Sequence, residues 1–328
     1  MRKLLNLLVR VLLTFLAALV LAVVANASCW SSYRAPKVLL AHRGLAQTHP
    51  SDGLTRDTCT AERIHPPEHP YLENTLPSMR AAFEAGADIV EFDVHPTTDG
   101  QFAVFHDWRL ECRTDGTGVT RERPLAYLKT LDIGHGYTAD GGRTFPSRGR
   151  GVGLMPSLDE VLAAFPDRRF LINIKSNDPG EGDLLADRLL RLPAEQRALL
   201  MAYGGDLPIE RLRARIPGLR GMSRRTLKDC ALGYLALGWS GHVPDACRDT
   251  LLLVPVNLGF LLWGWPHRTI ERMHAAGTEV FVIGPYGAGE IGTSGIDTLE
   301  DLGRLPAGYS GGLWTNRVDR IAPAFIAP

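Results

Sequence analysis

Short apolar runs alternate with amphipathic stretches along the chain from residue 37 onward. Brief apolar runs bounded by turn residues are typical of buried strands, and apolar residues three or four positions apart are typical of helices. Leu76, Met79 and Phe83 have the helical spacing, and Gly86 after them suits the position just beyond a helix end. The pattern predicts core strands at residues 38–41, 89–94, 170–174, 200–203, 219–223, 251–256, 278–283 and 312–315.

Capping signals add detail to the predicted helices. Ser157 and Glu160 have the spacing of a capping box, in which each residue satisfies a backbone N–H group of the other. The helix that they open should end before Pro166, because proline interrupts helical hydrogen bonding. Asp297 and Glu300 have the same spacing and predict a later helix start.

Eight core strands with intervening helices predict an α/β fold, a (β/α)8 barrel that forms a single domain over residues 37–328. A doubly wound sheet is the alternative, but it explains the strand count less well. An extra short strand is predicted at residues 101–105. The barrel would place functional side chains at the C-terminal strand ends, with the long segments 45–72 and 134–153 above this mouth.

The N-terminus is predicted to be a secretory signal peptide, residues 1–27. A basic start precedes an apolar run at residues 11–24, and Ala-Asn-Ala at residues 25–27 has the small-x-small pattern of a cleavage site. The alternative is an uncleaved membrane anchor in which Arg10 extends its charge to the membrane surface. Either version predicts export to the periplasm, envelope or extracellular space.

Cysteine usage agrees with export. Cys59, Cys112, Cys230 and Cys247 lie in loop-like surroundings, and four such cysteines in an oxidising compartment predict two disulfides. Three pairings are open from the sequence, and four buried free thiols are the alternative. Cys29, close to the predicted cleavage site, also allows the interpretation of a lipoprotein.

Composition narrows the ligand class. The 328 residues include 36 basic and 36 acidic side chains, and the chain has no basic block after its N-terminus. A neutral chain gains little from displacing counterions, so the composition argues against a nucleic-acid partner. The ligand is expected to be a small molecule or a lipid.

Two histidines are the candidate catalytic residues. His42 follows the first predicted strand, and His106 follows the extra strand. Cleavage of a phosphodiester needs a base, an acid and positive charge near the phosphoryl oxygens, and imidazole exchanges protons readily near neutral pH. Arg43 can bind phosphate through two hydrogen bonds, and Gly44 allows close backbone approach.

A pair of carboxylates completes the candidate site. Glu91 and Asp93 are two residues apart on a predicted strand, so they share one face. Buried carboxylates need partners, and either a hard cation, Mg²⁺ or Ca²⁺, or salt bridges to Arg43 and Lys175 would supply them. Lys175 ends an otherwise apolar strand, which favours a phosphate-binding role.

At these residues the chain resembles the glycerophosphodiester phosphodiesterase family, part of the PLC-like phosphodiesterase superfamily. The resemblance covers residues 38–321 and is strongest in these motifs, in this order: His42-Arg43-Gly44, Glu73-Asn74-Thr75-Leu76-Pro77, Glu91-Phe92-Asp93-Val94, Asp99-Gly100 and His106-Asp107. It implies a (β/α)8 barrel and hydrolysis assisted by a divalent metal ion, Ca²⁺ or Mg²⁺. It implies these roles: His42 and His106 as the acid/base pair, Glu91 and Asp93 as metal ligands, Arg43 and Lys175 as phosphate contacts, and Glu73 as a supporting residue.

Three positions depart from the family pattern. Asn173 stands where the family has the third metal carboxylate; its amide oxygen can still bind a cation, but more weakly. The seventh strand ends at Gly284, without the aromatic residue that packs on glycerol in the family. The late Thr-Asp-x-Pro pattern appears as Thr315-Asn316-Arg317-Val318. The catalytic motifs are therefore better preserved than the alcohol pocket.

The predicted function is an exported phosphodiesterase that hydrolyses glycerophosphodiesters to glycerol phosphate and an alcohol. The first alternative is lipid cleavage of the phospholipase D type on the same barrel. The second is a non-catalytic envelope barrel that binds a phosphorylated ligand. The apolar segment 258–265, with Trp263 and Trp265, could receive an acyl chain or touch a membrane, so lysophospholipid is a second candidate substrate; packing against the barrel is the alternative for this segment.

Overall fold

The computed structural model describes residues 2–50, 52–54, 58–287 and 294–326, and its strands form one nine-stranded sheet. Every predicted core strand is present within two residues of its expected bounds. The strands are β1 Val38–His42, β2 Ile89–Pro96, β3 Phe102–Val104, β4 Arg169–Ile174, β5 Leu200–Gly204, β6 Arg220–Ser223, β7 Leu251–Pro255, β8 Glu279–Ile283 and β9 Gly312–Thr315.

Eight of the strands form a nearly closed parallel barrel in the order β6-β5-β4-β2-β1-β9-β8-β7. β1 and β9, the first and last strands in the sequence, pair in parallel. This pairing excludes the doubly wound alternative. β6 approaches β7 through Gly221 N–H, which donates to Asp249 O at 3.2 Å, and Thr250 Oγ1, which donates to Gly221 O at 2.8 Å. β3 pairs antiparallel with β2, as the predicted extra strand required.

Helices connect most of the strands. They are α1 Arg2–Ala25, α2 Leu76–Glu84, α3 Leu125–Leu128, α4 Leu158–Ala164, α5 Pro179–Leu189, α6 Ala194–Arg197, α7 Asp206–Arg215, α8 Arg224–Leu237, α9 His267–Ala275, α10 Leu299–Gly303 and α11 Val318–Ile326. The predicted capping box of Ser157 and Glu160 opens α4. α2 ends before Gly86, whose φ of +106° favours glycine.

The second predicted capping box is shifted by one residue. The box that opens α10 consists of Thr298 and Asp301 rather than Asp297 and Glu300. Asp297 is engaged elsewhere, because its carboxylate accepts hydrogen bonds from the backbone and side chain of Asn316. Because the Asp297 side chain is bonded to Asn316 at the barrel mouth, Thr298 takes the capping position of α10.

The strands divide the barrel interior into an apolar floor and a polar mouth. Side chains two residues apart on a strand share a face, so a strand with apolar residues at its start can turn polar at its end on the same face. Leu40 lies in the floor and His42 in the mouth, and Ile89 precedes Glu91 in the same way. The floor consists of Leu40, Ile89, Leu171, Met201, Met222, Leu251, Leu253, Phe281, Ile283 and Trp314.

A separate apolar cluster, here named the cap cluster, lies beside the mouth. Both long segments predicted above the mouth contribute to it, although residues 51 and 55–57 lie outside the described part. The cap cluster consists of Ala61, Ile64, Leu72, Ala103, Phe105, Leu110, Leu128, Leu131, Ile133, Tyr137 and Met155. Its burial gives these irregular segments a fixed position over the barrel.

Both predicted disulfides are present. Cys59 is bonded to Cys112, which joins two segments of the cap, and Cys230 is bonded to Cys247 on the outside of the barrel. Cys29 is a free and exposed cysteine. The alternative of four buried thiols is therefore wrong.

The N-terminal helix α1 projects from the barrel. The helix has 24 residues, is mostly apolar and is long enough to cross a membrane, and none of its residues is buried against the rest of the protein. The residues just after it do contact the barrel: Asn26 is 4% exposed, and its Nδ2 donates to Trp239 O at 2.7 Å.

Candidate active site

The mouth begins with a tight turn after β1. Arg43 has a φ of +59°, and Gly44 has a φ of +80°. A Cβ atom at Gly44 would lie 2.3 Å from Ser78 Oγ, so the close approach requires glycine here. Asn74 also has a φ of +59°, and its N–H donates to Arg43 O at 3.1 Å. Two residues held in an unfavourable conformation at one place are typical of a functional site.

Asp93 lies at the centre of a dense set of donors. Its Oδ1 accepts from Asn173 Nδ2 at 2.8 Å and lies 3.3 Å from Lys175 Nζ. Its Oδ2 accepts from Asn74 Nδ2 at 3.0 Å and lies 3.4 Å from Arg43 Nε. Burial would raise the pKa of Asp93, but Lys175 and other nearby cations hold it well below its usual range.

Glu91 has different surroundings. Its Oε1 accepts from Tyr203 OH at 2.7 Å, and its Oε2 accepts from Arg43 N–H at 3.1 Å. Burial and the neighbouring Asp93 raise the pKa of Glu91 to about 8. The salt bridges proposed as an alternative to a metal therefore reach Asp93, from both Arg43 and Lys175, whereas Glu91 bonds to a hydroxyl and a backbone amide.

These donors fit a hard divalent cation. Glu91 and Asp93 share one face of β2, and Asp93 is the register partner of Asn173 on β4. A cation would relieve the repulsion that raises the pKa of Glu91, and all three side chains carry the oxygen donors that Ca²⁺ and Mg²⁺ prefer. Asn173 would have to turn its amide oxygen, rather than its Nδ2, toward the ion. Within the described residues no three acidic, histidine or cysteine side chains form a metal cluster.

His42 is held as a neutral imidazole. Its Nδ1 lies 2.7 Å from Asn316 Oδ1, and Asn316 Nδ2 donates to Asp297 Oδ2 at 2.8 Å. Because the amide oxygen of Asn316 faces the ring, Nδ1 carries the proton. Arg43 Nε donates to the other nitrogen, Nε2, at 3.1 Å. Burial and the Arg43 charge lower the pKa of His42 to about 3.

His106 is paired with a carboxylate instead. Its Nδ1 lies 2.7 Å from Asp107 Oδ1, and its backbone carbonyl lies 3.3 Å from His95 Nε2. Burial and the charges of Arg43 and Lys175 lower the pKa of His106 to about 4. The two histidines thus have unlike partners, an amide and an anion, which suits unlike roles in proton transfer.

Glu73 supports the site from the cap side. Its Oε1 lies 3.1 Å from Arg43 Nη1, and its Oε2 lies 3.3 Å from Arg113 Nη2. Burial opposes its ionisation, but Arg113 and Arg43 lower the pKa of Glu73 to about 2. Glu73 thus links Arg43 to the cap, and its supporting role stays a prediction.

Sequence reasoning assigned no role in the site to four other residues of the mouth. Tyr203 and Asn316 lie at or just after strand ends, and His95 follows Asp93 on the same face of β2, so strand position could have indicated all three. Arg113 gave no such signal, because it belongs to the irregular cap.

The apolar segment 258–265 does not form an open pocket around its two tryptophans. Trp263 Nε1 donates to Leu235 O at 2.8 Å, and Trp265 lies 6.0 Å from the ring of Tyr309. Both side chains pack against the main core. Phe260 is the exposed aromatic of this segment.

Comparison with known proteins agrees with this geometry. Residues 42–183 match the model of the Glycerophosphoryl diester phosphodiesterase family. A glycerophosphodiester phosphodiesterase of Caldanaerobacter subterraneus is 30% identical over 136 residues, which cover 40% of this chain and 52% of the relative. One from Bacillus subtilis is 34% identical over 114 residues, or 34% of this chain and 38% of the relative. The chain thus spans about half the length, or less, of these curated relatives.

Solved structures share the whole architecture. The glycerophosphoryl diester phosphodiesterase domain of an uncharacterised Mycobacterium tuberculosis protein has a TM-score of 0.61 at 18% identity, covering 89% of this chain and 100% of that one. A phosphodiesterase of Oleispira antarctica, solved with its product sn-glycerol-3-phosphate, has a TM-score of 0.54 at 20% identity, covering 88% and 97%. At these identities the likeness shows the fold.

Fold and site together define a (β/α)8 barrel whose mouth holds two histidines, a carboxylate pair and two positively charged side chains, Arg43 and Lys175. Within that class, residues 42–183 match the model of the glycerophosphoryl diester phosphodiesterase family, and the chain is similar to that family. The family match ends before β5, so the later strands, including the one that leads to Asn316, are related by fold.

Proposed function

We propose that the protein is a metal-dependent phosphodiesterase that hydrolyses glycerophosphodiesters to glycerol phosphate and an alcohol. The observation that carries the proposal is the pair of unlike histidines, His42 and His106, in one mouth with the Glu91 and Asp93 carboxylates. The family match over residues 42–183 supports it, because all four side chains lie inside that match.

His42 is assigned as the base. Its protonated Nδ1 leaves Nε2 to accept a proton from the attacking water molecule, whose oxygen forms the new bond to phosphorus. In the structure this nitrogen accepts from Arg43 Nε, so the guanidinium must turn toward the phosphate before the base can act. A negatively charged phosphodiester provides the attraction for that movement.

His106 is assigned as the acid. Asp107 stabilises the imidazolium at Nδ1, and Nε2 then delivers a proton to the leaving alkoxide as its bond to phosphorus breaks. Burial, and after it the charges of Arg43 and Lys175, lower the pKa of His106 in the structure. The negative charge of a bound phosphodiester offsets both cations, which raises that pKa toward the value an acid needs.

Glu91, Asp93 and Asn173 would hold the divalent cation, and Arg43 and Lys175 would contact the phosphoryl oxygens. When bound, the cation supplies Lewis-acid stabilisation of those oxygens. The cap cluster lies beside this mouth and supports the irregular segments around the reacting groups.

The test is product analysis on the full chain in detergent, with glycerophosphocholine as substrate. Release of choline together with glycerol phosphate, lost with EDTA and restored by Ca²⁺ or Mg²⁺, is expected. Turnover of lysophosphatidylcholine alone would favour the phospholipase D-type alternative. Absence of turnover of either substrate with every cation would favour the non-catalytic binding protein.

We further propose that the protein is exported and that α1 keeps it at the membrane. The small-x-small segment after this helix packs on the barrel: Arg268 Nη1 donates to Ala25 O at 2.6 Å, and Arg272 Nη2 donates to Asn26 Oδ1 at 2.9 Å. Asn26 is buried in these contacts, which tie the end of α1 to the barrel. Trp30 and Phe260 are exposed, and aromatic side chains favour a membrane surface.

The intact mass of the membrane-extracted protein tests this second proposal. A mass that includes residues 1–27 is expected, together with extraction only by detergent. A soluble product that begins at residue 28 would instead support the signal peptide.

A further inference from the structure

A buried arginine in the cap has no role in the proposed chemistry. Arg113 is 2% exposed, and it follows the short 3₁₀ helix Leu110–Cys112. Burying a guanidinium is costly unless its donors are paired with anions or other acceptors. The identity of its partners therefore indicates what the cap is built to hold.

The oxygen acceptors around the Arg113 guanidinium come from both the cap and the mouth. Nη1 contacts Asp107 Oδ1, and Nη2 lies 3.3 Å from Glu73 Oε2. Nη2 also donates to Thr60 Oγ1 at 2.6 Å, and Nε donates to Tyr137 OH at 3.0 Å. One rigid, planar group thus holds two carboxylates of the site at fixed positions relative to each other.

These contacts complete a continuous path between the two histidines. On one side, Asp107 accepts both from Arg113 and from Nδ1 of His106. On the other side, Glu73 contacts both Arg113 and Arg43, and its Oε1 lies 3.1 Å from Arg43 Nη1. Arg43 Nε in turn donates to His42 Nε2 at 3.1 Å. Arg113 is the member of this path that joins its two halves.

The Cys59–Cys112 disulfide fixes the arginine in place. Cys112 directly precedes Arg113, and Cys59 directly precedes Thr60, which accepts from the same guanidinium. The two cysteines are 53 residues apart in sequence, with Cα atoms 5.4 Å apart. The bond therefore joins the residue just before Arg113 to the residue just before Thr60, one of the acceptors of its guanidinium.

We propose that Arg113, held by the Cys59–Cys112 disulfide, is a positioning residue that aligns His106 through Asp107 and Arg43 through Glu73. The proposal rests on the proposed phosphodiesterase function. Arg113 acts only through these two carboxylates.

The experiment compares the full chain in detergent with two sets of variants. Arg113→Met removes both the charge and the planar guanidinium, and Arg113→Lys keeps the charge without the planar group. Cys59→Ala/Cys112→Ala removes the cap disulfide, and Cys230→Ala/Cys247→Ala removes the remote disulfide as its matched control. Thr60→Val removes one acceptor of the Arg113 guanidinium and keeps the side-chain shape. It is the substitute variant if the Arg113 variants do not fold.

Misplacement of catalytic groups by about 1 Å lowers turnover about 10²-fold, so Arg113→Met and the cap-disulfide variant should lose about that much kcat, with a smaller change in KM. Arg113→Lys should recover part of the loss, and Thr60→Val should show a weaker loss. The remote-disulfide variant should keep its kcat while losing thermal stability. Equal kcat losses in the two disulfide variants would overturn the proposal. An unchanged kcat in Arg113→Met would also overturn it. If Arg113→Met does not fold, an unchanged kcat in Thr60→Val would do the same.

A readout independent of turnover separates this proposal from the proposed function. Histidine-selective ¹⁵N labelling reports which ring nitrogen of His106 carries the proton. A single tautomer with a protonated Nδ1 is expected in the wild type and the remote-disulfide variant, and mixed tautomers in Arg113→Met and Thr60→Val. Unchanged ring signals in both of those variants would refute the positioning role, even if the wild type hydrolysed none of the substrates.

Discussion

The sharpest test of the metal position is Asn173→Asp, which restores a carboxylate at the third donor without changing the side-chain shape. In the wild type, Asn173 Nδ2 donates to Asp93 Oδ1 at 2.8 Å. The substitution replaces this donor by a second carboxylate oxygen. Without a cation the two acids must repel each other or share a proton, whereas a bound cation would attract both.

The expected cost without metal follows from two contributions. Loss of a hydrogen bond to a charged group costs about 2 kcal/mol. Two like charges about 4 Å apart repel by about 4 kcal/mol at an effective dielectric constant of about 20, an upper limit because proton uptake relieves it. The total is about 2–6 kcal/mol. At about 2 °C per kcal/mol for a domain of this size, Tm should fall by at least about 4 °C.

The assay is thermal unfolding of both proteins at pH 8, with EDTA and with a series of Ca²⁺ and Mg²⁺ concentrations. Asn173→Asp should unfold earlier than the wild type in EDTA and gain more Tm from the cation, because only the form with a cation benefits from the added charge. Direct titration calorimetry should give the variant the lower Kd. A Tm loss that is equal with and without cation would refute the assignment of Asn173 as a ligand.

Three further predictions concern catalysis and stability. His106→Asn should lower kcat by about 10²–10⁴-fold with a native circular dichroism spectrum; residual turnover near the wild-type rate would remove His106 from the mechanism. The low pKa of Glu73, about 2, contributes stability above its unfolded pKa of about 4.3 that is lost as the pH falls toward 2. Glu73→Gln should thus destabilise by about 3 kcal/mol at pH 6 and much less at pH 2 in urea unfolding, and an equal loss at both would contradict the ion pairs. Removing Cys230–Cys247, which are 17 residues apart, should lower the unfolding free energy by about 3 kcal/mol; no change would contradict a constraining bond.

Much of the fold could be predicted because each strand carries its own signal. Parallel barrel strands are buried on both faces, so they appear as short apolar runs that need no partner to be recognised. The polar residues that interrupt this pattern, such as Glu91 and Asp93, are costly inside a barrel, and for that reason they identified the site. His42, Arg43 and Lys175 could be placed because the barrel brings its strand ends to one mouth.

The rest depended on contacts between segments far apart in sequence. Arg113 reaches the mouth only because the cap folds over it, and no local period marks such a residue. The capping box was misplaced by one residue because Asp297 is used by Asn316, 19 residues away. The choice between acid and base also needed the structure, since it rests on which partner each histidine has at Nδ1.

The charges of the mouth indicate that cation and substrate should bind cooperatively. Glu73, Glu91, Asp93 and Asp107 face Arg43, Lys175 and Arg113, and the pKa of Glu91, about 8, keeps it largely protonated near neutral pH without a cation. A divalent ion that ionises Glu91 would leave the mouth with one positive charge in excess, which a phosphodiester anion neutralises. A third metal carboxylate would remove that excess. Calorimetry with glycerol phosphate should therefore show tighter binding with Ca²⁺ than with EDTA, and a smaller difference in Asn173→Asp. If Ca²⁺ raised the affinity for glycerol phosphate equally in the wild type and in Asn173→Asp, the amide at Asn173 would not determine the net charge that favours substrate binding.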